Sequence, residues 1–175
     1  MNLFTKLVFF GIICGCWTFA NAQDYSINKV ILSVEGGLLD RNMQDTYVDS
    51  RGFTWFGMTT GLTRYDGHNM ASFTMEEGHL LYSSVGEINE DVHGNLWLLH
   101  SVPPNHKVIS LGIFNPFTNK SIPLSEYLQR PLPFQIEELA WVSSGTEAGD
   151  ILLFTADNAV FLYDGDSLHS APISV

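Results

Sequence analysis

Cysteine is nearly missing from this chain: two occur among 175 residues, Cys14 and Cys16, both inside an apolar stretch near the amino terminus. Everything downstream is therefore without disulfides and without thiolate chemistry. Basic residues are scarce as well. Eight Lys and Arg stand against nineteen Asp and Glu, the formal net charge is −11, and the acidic residues are scattered instead of forming a tail. That balance argues against a nucleic-acid partner, because phosphate binding needs a basic patch for counterion release. Helical patterning is missing too. No stretch of ten or more residues carries a convincing i, i+3, i+4 apolar stripe, although Leu124 to Arg130 has room for one helical turn. Beyond the leader no apolar run approaches membrane-spanning length, since Ile151–Phe154 and Ala159–Tyr163 are strand-sized.

What the chain does have is 45% hydrophobic and 13% aromatic residues together with fifteen Gly and seven Pro, enough for a packed core of strands joined by tight turns. The first twenty-two residues read as an export signal. Lys6 is their only charge, Leu7 to Ile13 is apolar, and Ala20-Asn21-Ala22 offers small residues for cleavage after Ala22. The apolar stretch from Leu7 to Ala20 falls short of the roughly twenty residues that span a bilayer. Export is therefore expected, with an uncleaved amino-terminal anchor and a lipoprotein signal ending at Cys16 as the alternatives to a cleaved leader. After cleavage no membrane-spanning segment is expected.

An internal repeat organises the rest. Asp49-Ser50-Arg51-Gly52-Phe53-Thr54-Trp55 returns as Asp91-Val92-His93-Gly94-Asn95-Leu96-Trp97, with Asp, Gly and Trp in register. Farther along each unit, Tyr65-Asp66-Gly67, Phe114-Asn115-Pro116 and Tyr163-Asp164-Gly165 mark an aromatic strand end followed by a turn, at intervals of 49 residues. The third unit is degenerate at its start, where Ser143 to Asp150 replaces the compact Asp-x-x-Gly turn. Each unit contains four short strand signals, predicted in the first at Met43–Val48, Phe53–Met58, Leu62–Tyr65 and Met70–Thr74. The second unit gives Val85–Asn89, Leu96–Val102, Val108–Phe114 and Thr118–Ile122, and the third gives Ile136–Val142, Ile151–Thr155, Ala159–Tyr163 and Ser167–Ala171. Four antiparallel strands per repeat of forty to fifty residues suit the blades of a β-propeller. The domain plan is a leader at 1–22, a lead-in at 23–41, and blades at 42–84, 85–134 and 135–175.

The motif chemistry is mechanical. In Asp-x-x-Gly the carboxylate can accept backbone N–H groups across a tight turn while Gly tolerates positive φ. Trp55 and Trp97, and with them Trp141, then offer large apolar faces for packing between neighbouring sheets. A Ca²⁺ site would need about six oxygens, and each motif supplies one fixed carboxylate, so no metal and no cofactor is expected.

Asp49 to Gly57, continuing through Gly61-Leu62-Thr63-Arg64-Tyr65-Asp66-Gly67, resembles the two-component regulator propeller repeat, found in the periplasmic sensor half of hybrid two-component systems of Bacteroidetes. Asp91 to Leu98 is a second, shorter match, and Ser33-Val34-Glu35-Gly36-Gly37-Leu38 resembles the family's first-blade entry. The family's usual Gly-Thr after the Trp strand is Gly57-Met58 in the first unit and Leu99-His100 in the second. Taken together the matches cover nearly all of the chain after the leader. The resemblance implies an all-β fold of about three four-stranded blades belonging to an incomplete, open propeller. It also implies a ring-closing strand near Asn28 to Val34, and a parent protein with more blades, a membrane helix and a histidine kinase. The implied role is sensing of a glycan or other small extracellular ligand.

A ring needs at least about four blades, so three leave a sheet face uncovered and strand edges for the rest of the propeller or another chain to cover. Catalytic patterns are not evident. His68, His79, His93, His100, His106 and His169 show no metal-ligand spacing, the pairs Glu76-Glu77, Glu90-Asp91 and Glu137-Glu138 place neighbours on opposite faces of a strand, and there is no nucleophile elbow. Three roles follow: a non-catalytic amino-terminal part of a sensor, a stand-alone secreted binding or scaffold protein, and a fragment of a carbohydrate-active propeller enzyme.

Overall fold

The computed structural model describes residues 31–102, 107–136, 139–145 and 149–171, and a compact unit begins at Leu32. The expected leader, His106, Glu137-Glu138 and the side chain of Trp141 lie outside the described parts. Twelve strands and one short helix build the unit. Blade 1 comprises β1 (Met43–Val48), β2 (Thr54–Met58), β3 (Leu62–Tyr65) and β4 (Met70–Phe73). Blade 2 comprises β5 (Glu87–Glu90), β6 (Leu96–Val102), β7 (Lys107–Asn115) and β8 (Lys120–Pro123), followed by α1 (Leu124–Tyr127). Blade 3 comprises β9 (Leu139–Ser144), β10 (Ile151–Thr155), β11 (Val160–Tyr163) and β12 (Leu168–Ser170). Each blade is a separate antiparallel sheet in sequential strand order, and the three together form an open β-propeller array. The first strands β1, β5 and β9 touch in succession, which makes them the shared inner edge.

Strand burial follows blade position. In β6 the residues Leu96, Trp97, Leu98 and Leu99 are all buried, because blade 2 is covered on both faces. Leu96 and Leu98 join Trp55, Phe73, Ile88 and Phe114 in the core between blades 1 and 2, while Trp97 and Leu99 join Ile151, Leu153 and Tyr163 in the core between blades 2 and 3. Strand β10 is as apolar as β6, yet its burial alternates: Ile151 and Leu153 are buried, Leu152 and Phe154 only partly. Half-buried Leu162 stands opposite Leu152 on β11, and with Val160 these apolar side chains lie on the far side of blade 3.

The strand expected near Asn28 to Val34 lies mostly outside the described residues. At its end, the Ser33 carbonyl accepts the amides of Gly36 and Leu38, and this turn lays Leu32, Leu38 and Leu39 against Phe56, Met58, Tyr65 and Met70 on the outer face of blade 1. One sequence expectation needs correction. Strand β5 begins at Glu87 rather than Val85, because the Val85 amide already donates to the Met58 carbonyl of blade 1. The helical turn at Leu124–Tyr127 is short, lacks a side-chain cap at Pro123, and is held by the buried Leu124 side chain. Among the described residues no helix is long and apolar enough to cross a membrane.

Candidate functional site

The repeated Asp is the hub of a local clamp. Asp49 Oδ1 accepts the amides of Arg51 at 3.0 Å and Phe53 at 2.9 Å, while Oδ2 accepts the Trp55 indole N–H at 2.9 Å and the Arg51 guanidinium at 2.8 Å. Asp91 repeats this with the amides of His93 and Asn95, both at 2.9 Å, and the Trp97 indole at 3.0 Å. Gly52 and Gly94 close the two turns at φ of +86° and +75°, the left-handed region where a side chain is strained. Burial alone would raise the Asp49 pKa, but the donors from Trp55, Phe53 and Arg51 outweigh it and hold the carboxyl below its ordinary value. The stabilisation they give is present above the unfolded-state pKa and is lost as pH falls through the depressed folded one.

A second turn repeats in all three blades. Asp66 Oδ1 accepts the amides of His68 and Asn69, Asn115 Oδ1 those of Phe117 and Thr118, and Asp164 Oδ1 those of Asp166 and Ser167. The Tyr65 and Tyr163 hydroxyls each donate to the carbonyl two residues on, at Gly67 and Gly165. Gly61 sits in the β2–β3 turn, where its carbonyl accepts the Met58 amide.

The aromatic landmarks meet across blades. Trp55 packs edge-on against Phe114 of blade 2 with centroids 5.7 Å apart, and Trp97 lies 4.9 Å from Tyr163 of blade 3. Each indole clamped by its own turn therefore contacts the aromatic strand end of the next repeat. Carboxylates on the inner strands tie the same seams: Asp45 accepts the Ile88 amide at 2.8 Å, and Glu87 accepts the Val142 amide at 2.9 Å. Asp45 and Glu87 are separated by the same 42 residues as Asp49 and Asp91, but that spacing does not say which amide each carboxylate meets. Strand register places Trp141 at the equivalent position of blade 3, where no carboxylate is available.

Burial pushes the Glu87 pKa up, the Val142 amide opposes this, and the nearby Asp45 charge adds to the rise. Glu87→Gln keeps an acceptor for the Val142 amide without the charge, whereas Glu87→Ala leaves that amide unpaired. We expect the alanine variant to unfold at lower urea, by about 1–2 kcal/mol, and the glutamine variant to stay within about 0.5 kcal/mol of the parent. Equal losses in both would show that the charge itself holds the seam.

The inner strands end together at a cleft of about 690 Å³ lined by residues that include Tyr47, Ser50, Glu90, Val92, Ser144 and Gly149. Within it, Glu90 accepts the Ser50 amide at 2.7 Å and the Ser50 hydroxyl at 2.8 Å, so the Glu90-Asp91 pair is occupied by a seam and a turn. Val48 and Val92 are 61% and 57% exposed there. A smaller cleft, of about 450 Å³, lies at the opposite end of the strands beside Thr59, Thr60, Thr74 and Met75. Asp40 accepts the Thr59 and Thr60 hydroxyls there, and those donors outweigh its partial burial and lower its pKa. The histidines are dispersed: His93 contacts the Gly165 carbonyl across a seam, and His100 is buried against the Ser84 carbonyl. Both clefts are open concavities with hydroxyls and apolar rims, a geometry suited to binding.

Against known proteins, no family model matches the chain, and no curated protein matches it. Among solved structures it is similar to the extracellular domain of a protein of B. thetaiotaomicron described as the hybrid two component system BT3049, with a TM-score of 0.58 and 18% identity over 78% of this chain. The chain shares that domain's fold. It spans 19% of the length of that structure. The extracellular domain of BT4673, described as a one component system of the same organism, aligns with a TM-score of 0.47 and 19% identity over 70% of this chain and 16% of its own.

Proposed function

We propose that these three blades form part of the extracytoplasmic, periplasmic ligand-sensing propeller of a two-component signalling protein, responding to a glycan or other small extracellular ligand without catalysis in this chain. The observation that carries this reading is the fold likeness to the BT3049 extracellular domain, joined to seams that repeat with the sequence period. The cleft at the ends of the inner strands draws its lining from all three blades, so an occupant there would shift their relative packing, and such a shift is what a sensor transmits. Calorimetric titration of the purified chain with soluble oligosaccharides, repeated with Val92→Asp in the rim, tests it. Saturable binding weakened by the substitution supports the reading. No binding to any of a broad glycan set, or turnover of one, counts against it.

The outer face of blade 3 belongs to the same proposal. Leu152, Val160 and Leu162 continue the pattern by which blades 1 and 2 pack on their successors, and a further sheet of the repeat, from the rest of its own propeller or from another chain, would cover them. In light scattering, the isolated chain should self-associate, and Leu152→Glu with Leu162→Glu should abolish this while leaving the thermal unfolding midpoint within a few degrees. A monodisperse parent monomer would refute the docking role.

A further inference from the structure

Arg64 lies on β3 opposite Trp55, facing the seam between blades 1 and 2. Its guanidinium carbon is 4.9 Å from the centre of the Phe53 ring, 5.7 Å from Trp55 and 5.8 Å from Phe73. Strand register puts Ile113 at the equivalent place in blade 2 and Leu162 in blade 3, so the fold packs apolar side chains at this position. A cation there is a departure. Among the described residues no carboxylate reaches it, and its guanidinium N–H donors meet no acceptor. The rings recover only part of what a half-buried cation loses in hydration.

The surroundings are also incompletely paired. Arg51, bound to Asp49 at 2.8 Å, lies 5.3 Å from the same Phe53 ring and 5.0 Å from Phe117, a ring on the β7–β8 turn of blade 2 that is 75% exposed. Rings and guanidiniums thus alternate across the seam. On the blade 2 side, Ser121 stands opposite Phe114, whose ring touches both Trp55 and Phe73. The Ser121 hydroxyl and the Asn119 amide oxygen are buried without a hydrogen-bond partner. The Arg64 donors lie on the blade 1 side of this aromatic cluster and Ser121 on the blade 2 side.

We propose that this seam binds an oxyanion, a carboxylate or a sulfate or phosphate ester group, on the Arg64 guanidinium, which the Phe53, Trp55 and Phe73 rings hold in place. The planar fork of donors suits a group with two oxygens in one plane. The site is independent of whether the propeller signals.

Calorimetry on the purified chain at constant ionic strength tests it, with acetate, sulfate and phosphate as probes and chloride as the control. At least one oxyanion should bind saturably, the best of the three naming the source chemistry, and the Trp55 indole proton signal should move while that of Trp97 stays. Arg64→Met, matched to the apolar side chains of the other blades, should fold and lose about tenfold or more in affinity. A methionine variant that binds as the parent does, or a parent in which no oxyanion gives saturable heat and the Trp55 signal stays fixed, overturns the proposal. Should the variant fail to fold, the Trp55 titration of the parent decides.

Discussion

Asp91→Ala is expected to be the most damaging single substitution in blade 2, lowering stability in urea by about 3–5 kcal/mol. Asp91 is 3% exposed, and besides the amides of His93 and Asn95 and the Trp97 indole it accepts the Tyr127 hydroxyl at 2.9 Å. Alanine would strand the Asn95 amide and the Trp97 indole in a buried site and deprive the His93 amide and the Tyr127 hydroxyl of their acceptor. It would also free the indole that packs on Tyr163, so the loss should reach blade 3. Trp97→Phe gives the comparison, because it keeps a ring in the seam but removes the N–H and part of the buried indole bulk, at a cost of about 2–3 kcal/mol. If Asp91→Ala is no worse than Trp97→Phe, the turn amides find other partners and the carboxylate is not the hub described above.

The second large effect is an acid sensitivity set by His100. Its ring is fully buried, Nδ1 donates to the Ser84 carbonyl at 2.8 Å, and Nε2 has no partner. Gly112 packs so close that a Cβ there would lie 3.0 Å from Nε2, which leaves little room for a hydration partner. Burial lowers the pKa to about 4, against which the Ser84 bond works only weakly. The folded state thus refuses a proton that the unfolded chain accepts near pH 6.5. Stability must fall as pH drops from about 6.5 to about 4, by up to roughly 3 kcal/mol.

His100→Gln removes that titration and should flatten the thermal-unfolding midpoint against pH across this window. The depressed carboxyls, Asp49 among them, lose their stabilisation only at lower pH. The raised Glu87 runs in the opposite sense, since the folded state binds its proton more readily. A parent and variant with parallel pH profiles between 6.5 and 4 would show that His100 takes up its proton without strain.

The readable parts of the fold share one property, which is short range. Asp49 reaches Arg51, Phe53 and Trp55, all within six residues, and Asp91 repeats those offsets, so spacing alone announces both turns. Asp66, Asn115 and Asp164 are equally local. The seams were less legible. Asp45 to Ile88 and Glu87 to Val142 span 43 and 55 residues, and nothing at either end marks which amide a carboxylate will meet. Arg64 reads in the sequence as an ordinary strand cation. Only the register that aligns it with Ile113 and Leu162 makes it anomalous.

The lead-in shows the limit from the other side. Its resemblance to a first-blade entry did not announce that the Ser33 carbonyl closes a turn there, nor that Leu38 and Leu39 find an apolar sheet face beside them. Residue order by itself determined three sheets of four strands, their turns and the indole positions, because each depends on a few neighbouring residues and on alternation along a strand. Which faces are covered, which carboxylates staple one blade to the next, and where a cation is left without a partner were decided by the stacking of sheets, whose contacts join residues some forty to fifty positions apart and leave no local trace.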